Sequence, residues 1–264
     1  MSNVALTIAG SDPSGGAGLQ ADLKTFHQLG VYGTSVVTLL TVQNTVAVRA
    51  VETVRPELVV AQLDAVLEDI PPAAAKTGAL GNEAIVRAVA RRLASTSFPL
   101  VVDPVTISKH GVRLMSESAR AAMVELLLPR AFLVTPNLDE AAAFSGIQVT
   151  DPETMVEAAR RISALGAQAV LVKGGHLSGD AVDVLYWQGQ CRSFAAQRIA
   201  TRNTHGTGCT YSAAITAELA RGRALPEAVA LAKKFITLAI QSSPGLGKGF
   251  GPVNHHAKIT DENA

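Results

Sequence analysis

The chain has 264 residues, 48% of them hydrophobic and 17% charged, with a formal net charge of +1. That length admits one large α/β domain or two small ones, and the apolar content can fill a sizeable core. A near-neutral balance without basic blocks interleaved with aromatics argues against a nucleic-acid partner. The opening Met1-Ser-Asn-Val-Ala-Leu-Thr-Ile8 lacks the basic and apolar regions of a signal peptide, and no apolar run approaches a membrane span of roughly 20 residues. Two cysteines, Cys191 and Cys209, are too few for a disulfide framework, so a reduced, cytoplasmic protein is expected.

Val4–Ala9 reads as a buried strand, followed by the loop Gly10–Gly18 and a helix over Leu19–Leu29. Thr34–Val42 and Val48–Val54 read as strands, and Pro56–Ile70 has helical spacing at Val59, Leu63 and Ile70. The alternation repeats. Ala73–Leu80 is a strand and turn, a helix carries Ile85, Val86, Val89 and Leu93, and Phe98–Val102 is a strand. Ser118–Leu128 is predicted helical, Phe132–Thr135 extended, and Asn137 is placed to cap a short helix ending at Phe144. A further helix presents Met155, Ala159, Ile162 and Leu165 on one face, ahead of the strand Ala169–Lys173. Val182–Trp187 and Cys191–Ala200 suggest a hairpin about Gly189, and helices over Thr210–Arg221 and Leu225–Gln241 follow. Strands with continuous apolar cores alternating with helices predict a mostly parallel sheet covered on both faces, built as one domain over residues 1–264. Ligands gather at the carboxyl ends of such strands, where Asp12, Gln43, Lys76, Asp103, Asn137, Glu140 and Lys173 fall.

The most informative stretch is Asn203–Ser212, a Gly-rich turn opening an Ala-rich helix. Unpaired backbone N–H groups at a helix start, aligned with the helix dipole, make an anion site. Cys209 lies inside it, and that field is expected to lower its pKa. Gly16, Gly18 and Ala21 fit a dinucleotide fingerprint, but they stand well beyond the strand, and the next strand ends on Gln43-Asn44 without a ribose-binding carboxylate. Gly247-Lys248 precedes glycine, so the nucleotide-binding P-loop pattern is absent too. Asp103, Asn137 and Glu140 are oxygen ligands suited to Mg²⁺ held partly through water and phosphate. Lys173 ends its strand beside Gly174 and Gly175, where a phosphate could approach. His27, His110 and His176 read as structural or solvated, and Cys191 as packing. The combination describes phosphoryl transfer, which needs positioning and charge stabilisation more than covalent chemistry.

Eight motifs in order resemble one family: AGSDPSGGAGLQADLKTF over 9–26, TVQNT over 41–45, KTG over 76–78, VDPV over 102–105, TPN over 135–137, KGGH over 173–176, NTHGTGC over 203–209 and GPVN over 251–254. The chain is similar to the hydroxymethylpyrimidine/phosphomethylpyrimidine kinases of thiamine biosynthesis, within the ribokinase superfamily. The resemblance implies a ribokinase-like three-layer α/β/α sandwich, a homodimer, and two ATP- and Mg²⁺-dependent steps. These convert 4-amino-5-hydroxymethyl-2-methylpyrimidine to its monophosphate and then to its diphosphate. It implies that Gln43 reads the aminopyrimidine with Gly10 and Asp22 near it, and that the backbone of Gly206, Thr207, Gly208 and Cys209 forms the anion hole. Asn137, Lys173 and Lys233 would surround the ATP phosphates, and Asp103 and Glu140 would serve Mg²⁺. Cys209 stands where sugar kinases of the superfamily carry an aspartate base, so it is expected to orient or deprotonate the substrate hydroxyl. No synthase extension is expected after Ala264. Ala79 and Thr106 replace methionines common at those places, and Ser108–Gly111 is expected in a flexible lid. The alternative substrate is pyridoxal or pyridoxine, although the lid lacks the second cysteine of related pyridoxal kinases. A catalytically silent binding protein would need none of the anion-hole glycines, Lys173, Asp103 or Cys209.

Overall fold

The structure, a computed structural model, describes residues 3–175, 177 and 179–259. Nine strands form one sheet: β1 (Val4–Ser11), β2 (Tyr32–Gln43), β3 (Val48–Thr53), β4 (Ala74–Thr77), β5 (Leu100–Val102), β6 (Leu133–Val134), β7 (Ala169–Val172), β8 (Ala181–Trp187) and β9 (Gln190–Ala196). Their order is β3-β2-β1-β4-β5-β6-β7-β8-β9. Pairings from β2 through β7 are parallel, while β3 at one edge and the β8–β9 hairpin at the other are antiparallel.

The described residues form eight α-helices, α1 (Gly18–Gln28), α2 (Pro56–Asp69), α3 (Glu83–Leu93), α4 (Glu117–Ala122), α5 (Leu138–Ser145), α6 (Pro152–Ala164), α7 (Thr207–Ala220) and α8 (Leu225–Gln241). Strand pleating sends alternate side chains to opposite faces. Leu6, Ala75, Leu100, Val102, Val134, Val170 and Val172 therefore pack with α2 through α6. Ala5, Ala74, Val101, Leu133, Ala169 and Leu171 pack with α1, α7 and α8. Two cores on one sheet give the expected three-layer sandwich, and both faces of the sheet must be apolar. Helix α7 is buried at every residue from Thr210 to Ala220, a helix covered on all sides at the heart of its layer, its hydroxyls and Glu218 included.

Boundaries differ where local chemistry intervenes. The helix expected over Ser118–Leu128 is α-helical only to Ala122, then passes through a π turn, Met123–Leu127, and a 3₁₀ turn, Leu128–Arg130. Pro129 has no N–H to give and its ring crowds the carbonyl four residues back, so the last turns rewind. Helix α7 starts at Thr207, three residues before its predicted start, because Gly208 is admitted into its first turn.

Sheet topology locates the crevice. Strand β1 sits between β2 and β4, so the connections reverse direction there. A crevice outside the carboxyl ends of strands at such a reversal is the usual ligand position. The loop after β1 and the Lys76–Gly78 segment at the end of β4 border it.

Candidate active site

The Gly-rich turn read as an anion hole lies at the start of α7. Gly206 is its N-cap, in the left-handed region at φ 79°, and no side chain caps the turn. The first N–H groups of a helix lack intrahelical acceptors, so the turn offers donors to a ligand. A Cβ on Gly206 would collide with the carbonyl oxygen of Gly16, so the Gly-rich loop after β1 lies directly against the hole.

A charged pair faces this turn. Lys173 Nζ lies 2.9 Å from Asp103 Oδ1, and Thr135 Oγ1 donates to the same oxygen at 3.1 Å. Ser212 Oγ, one turn into α7, donates to Asp103 Oδ2 at 3.1 Å. A Cβ on Gly208 would stand 3.5 Å from Lys173 Nζ and 4.0 Å from Asp103 Oδ2. The hole, the cation and the carboxylate thus converge on one small space. Burial would raise Asp103, but Lys173 and Lys76 outweigh it and hold the carboxyl below its ordinary range. Burial likewise opposes the charge on Lys173, and Asp103 and Glu140 more than restore it.

Asn137 caps α5 in a reciprocal capping box: its side chain accepts from Glu140 N, and Glu140 Oε2 accepts from Asn137 N at 2.9 Å. Backbone pairing of Asn137 with Lys173 sets this cap beside the lysine. Burial pushes Glu140 up to about 7, with Lys173 opposing and Asp103 reinforcing the shift. Among the described residues no cluster of three His, Cys, Asp or Glu could enclose a metal. Two carboxylates beside a phosphate site nevertheless suit Mg²⁺, which keeps much of its shell as water and substrate oxygen. A buried Glu140 titrating near neutrality fits, because a neighbouring cation would return it to its charged form.

That shift has a stability consequence. A carboxyl raised in the folded state gives stability that is complete below its unfolded pKa near 4.5 and is lost as pH rises through about 7. In Mg²⁺-free buffer, the unfolding free energy of wild type minus that of Glu140→Gln should fall by on the order of 3 kcal/mol between pH 4 and 8. Urea titrations at several pH values measure it, and a difference constant across that range would refute the assignment.

Cys209 departs from expectation. Burial is the largest influence on its thiol and pushes it up to about 12; Lys76 pulls it down, while Asp22 and Asp103 raise it. The helix-terminal field is too weak to make a thiolate here, so the side chain is a neutral thiol at pH 7 and a poor base. Beneath it, Lys76 Nζ pairs with Asp22 Oδ1 at 2.7 Å, and both side chains are fully buried. Thr7 Oγ1 donates to Asp22 Oδ2 at 2.6 Å, and Lys76 also reaches the Cys209 carbonyl at 3.4 Å. Burial works against the lysine's charge, but Asp22 prevails and holds its pKa above the ordinary value. Asp22 is therefore sealed under the first turn of α7 and is not open for the direct substrate contact that its motif implied.

Lys233 also departs. Its ammonium donates to Asp183 Oδ2 at 2.7 Å and to the Ala181 carbonyl at 2.8 Å. Asp183 in turn accepts from Gly174 N at 3.0 Å, so Lys233 supports the Lys173–Gly175 turn instead of presenting a free cation. Asp183 was missed from sequence. A lone carboxylate inside the apolar run Ala181–Trp187, at a buried position of β8, was the available signal.

Gln43 ends β2 half-buried, and Gly10 is buried at the end of β1 against Leu39. The segment 107–113 folds into a hairpin turn, with Ile107 paired to Arg113. His110 Nε2 meets the Thr45 carbonyl at 3.0 Å, its ring lies edge-on to Phe250 at 5.7 Å, and Lys109 covers the same ring at 5.4 Å. The expected lid is thus a clasped turn. His27 and Cys191 are exposed, and His176 falls outside the described residues.

The family model described as phosphomethylpyrimidine kinase matches residues 12–254. The chain is 50% identical over 252 residues to the thiamine biosynthesis bifunctional protein ThiED of Geobacter sulfurreducens, covering 95% of this chain and 51% of that protein. It is 45% identical over 264 residues to a hydroxymethylpyrimidine/phosphomethylpyrimidine kinase of Staphylococcus aureus, covering 98% and 95% of the two chains. Among solved structures, an ADP complex of Bacillus subtilis pyridoxal kinase superposes with a TM-score of 0.91 at 40% identity, covering 97% of this chain and 98% of that one. The sandwich is ribokinase-like, and the dehydrogenase reading of Gly16 and Gly18 falls. The chain belongs to the phosphomethylpyrimidine kinase family.

Proposed function

We propose that the protein phosphorylates the hydroxymethyl group of 4-amino-5-hydroxymethyl-2-methylpyrimidine with ATP, and then phosphorylates the monophosphate to the diphosphate. The observation that carries this reading is the α7 turn opposed by Lys173 and Asp103, joined to family membership along residues 12–254. In the first step the substrate oxygen bonds to the γ-phosphorus, the bond to the β–γ bridging oxygen breaks, and ADP leaves. The hydroxyl proton passes to a phosphoryl oxygen or to water as the new bond forms. A neutral Cys209 need not take it, since phosphoryl transfer through a loose transition state asks little of a base.

The chain's own residues then act by placement. Gln43 donates to and accepts from the aminopyrimidine edge, while Gly10 lets Leu39 pack closely against the end of β1 near it. The N–H groups of Gly206 to Cys209 meet the transferring phosphoryl oxygens. Lys173 balances phosphate charge, and Asn137 orients the turn beside it. Asp103 and Glu140 would hold Mg²⁺, directly or through water, and a bound Mg²⁺ neutralises charge that develops on the phosphates. Lys233 and Asp22 support this site from behind.

We read residues 1–264 as one kinase domain, a reading that the continuous nine-stranded sheet favours. No helix among the described residues is long and apolar enough to cross a membrane. A cytoplasmic location accords with two free cysteines. Exposed Leu40 and Val42 on β2 and Val46 in the turn to β3 favour a homodimer, since they leave adjacent apolar surface uncovered.

A second acceptor, pyridoxal, is favoured by the close superposition on Bacillus subtilis pyridoxal kinase. One experiment separates the two: ATP consumption with Mg²⁺ on hydroxymethylpyrimidine, its monophosphate and pyridoxal under identical conditions. Turnover on both pyrimidines, with pyridoxal much slower and all turnover lost without Mg²⁺, is expected. Rapid pyridoxal turnover with a silent monophosphate would overturn the pyrimidine reading.

A further inference from the structure

Asp12 and His205 are separated by 193 positions in sequence, yet Asp12 Oδ2 and His205 Nε2 lie 2.8 Å apart with both residues buried. Neither has a place in the chemistry described above. Asp12 gathers the whole loop after β1: its Oδ1 accepts from Ser14 N and Ser14 Oγ, both at 2.8 Å, and its Oδ2 accepts from Ala17 N at 2.9 Å. Burial would raise the carboxyl, but the hydrogen bonds from His205 and Ser14 prevail and hold it down at about 2. An ionised carboxylate can only accept, so Nε2 is the ring nitrogen that carries the hydrogen.

His205 immediately precedes the N-cap glycine of α7. Its backbone is fixed on the other side, where His205 N donates to Gly251 O at 3.0 Å. Its ring lies against Gly16, where even a Cβ would stand 2.6 Å from His205 Cδ2. The ring is therefore clamped between the Gly-rich loop and the first turn of the phosphoryl site. A buried ion-type contact at this place has a steric logic: the Gly16 carbonyl touches Gly206, so the loop and the hole can only be set together.

We infer that Asp12 and His205 form a positioning pair that locks the Gly-rich loop onto the α7 turn and so fixes the direction of the anion-hole N–H groups before ATP binds. The inference rests on the phosphoryl-transfer reading. Pre-set donors stabilise a transition state because they need no reorganisation during the reaction, whereas ground-state binding is far less sensitive to their exact direction. Loss of the pair should therefore appear in kcat more than in KM.

The amide of glutamine reaches the place of Nε2, while that of asparagine stops near Nδ1. His205→Asn should lose kcat on the order of 10²-fold, comparable to removing one oxyanion donor, with KM for ATP and for the pyrimidine changed by no more than about threefold. His205→Gln should recover most of that loss. Asp12→Asn should also lower kcat, and the double variant Asp12→Asn/His205→Asn should be hardly worse than either single one, since one contact is being removed twice. Rates are taken per folded molecule, counted by ADP binding, so that a partly unfolded variant is not mistaken for a slow one. Equal rates in the Asn and Gln variants, or losses that multiply in the double variant, would overturn the inference while leaving the kinase reading intact. A wild-type protein silent on all three acceptors would overturn both.

Discussion

Gly208→Ala should lower kcat on the order of 10²- to 10³-fold, while Cys209→Ala should retain activity within about tenfold. The two residues are neighbours in the same turn, so the comparison separates the hole from the thiol. Gly208 has no positive φ, and an added Cβ would find ordinary contact with protein, 3.5 Å from Lys173 Nζ. The variant should therefore fold. What the methyl group occupies is the space between the α7 turn, Lys173 and Asp103, where the proposed function needs the transferring phosphoryl. Cys209→Ala removes a thiol whose pKa of about 12 already denies it a base role at pH 7, and leaves every backbone donor in place. Gly206→Ala is a harsher change, because φ 79° and the Gly16 carbonyl both oppose a side chain. Steady-state kinetics with thermal melts decide the matter. If Cys209→Ala fell as far as Gly208→Ala in kcat with its fold intact, base catalysis by the thiol would return as the leading account.

The second large effect concerns stability. Lys76→Met should destabilise the protein by roughly 3–5 kcal/mol, the range for removing one partner of a buried pair. For a chain of this size that lowers the melting temperature by on the order of 10 °C. The reason is the complete burial of both Lys76 and Asp22: with the ammonium gone, the carboxylate must either stay charged in an apolar setting or bind a proton. Lys76→Met/Asp22→Leu should regain much of the lost stability, because two apolar side chains can replace the pair. It should not regain kcat, since Lys76 also reaches the Cys209 carbonyl and sits beneath the phosphoryl site. Urea unfolding of the three proteins tests this. A double variant as unstable as Lys76→Met would mean that packing, not charge pairing, sets the cost.

Elements governed by local rules were legible in the sequence. Asn137 and Glu140 stand at the spacing of a capping box, and both halves of that box form. The helix Leu225–Gln241 has its predicted ends because Pro226 opens it and its apolar face is long. The hairpin about Gly189 was also plain, although β9 stops at Ala196. What escaped was set by distant contacts. The α7 turn promised a low thiol pKa, but the sequence gives no measure of how deeply that turn is buried. Lys233 is one of two adjacent lysines on its helix until Asp183, 50 positions earlier, is seen to face it. His205 read as part of a motif, and its bond to Asp12 had no local signal at all.

That same bond bears on how the enzyme comes into being on the ribosome. Residues 12 to 17 emerge early, yet their partner His205 emerges late, and His205 is itself held by Gly251. Contacts so remote along the chain slow folding, because the intervening loop must be closed first. The sheet from β1 to β7 can assemble from its successive strands, but the loop after β1 cannot be locked onto the α7 turn until residues 205 to 251 have been made. A nascent chain stalled short of α7 would also leave bare the sheet face that α7 and α8 cover, so the late segment completes both the core and the crevice.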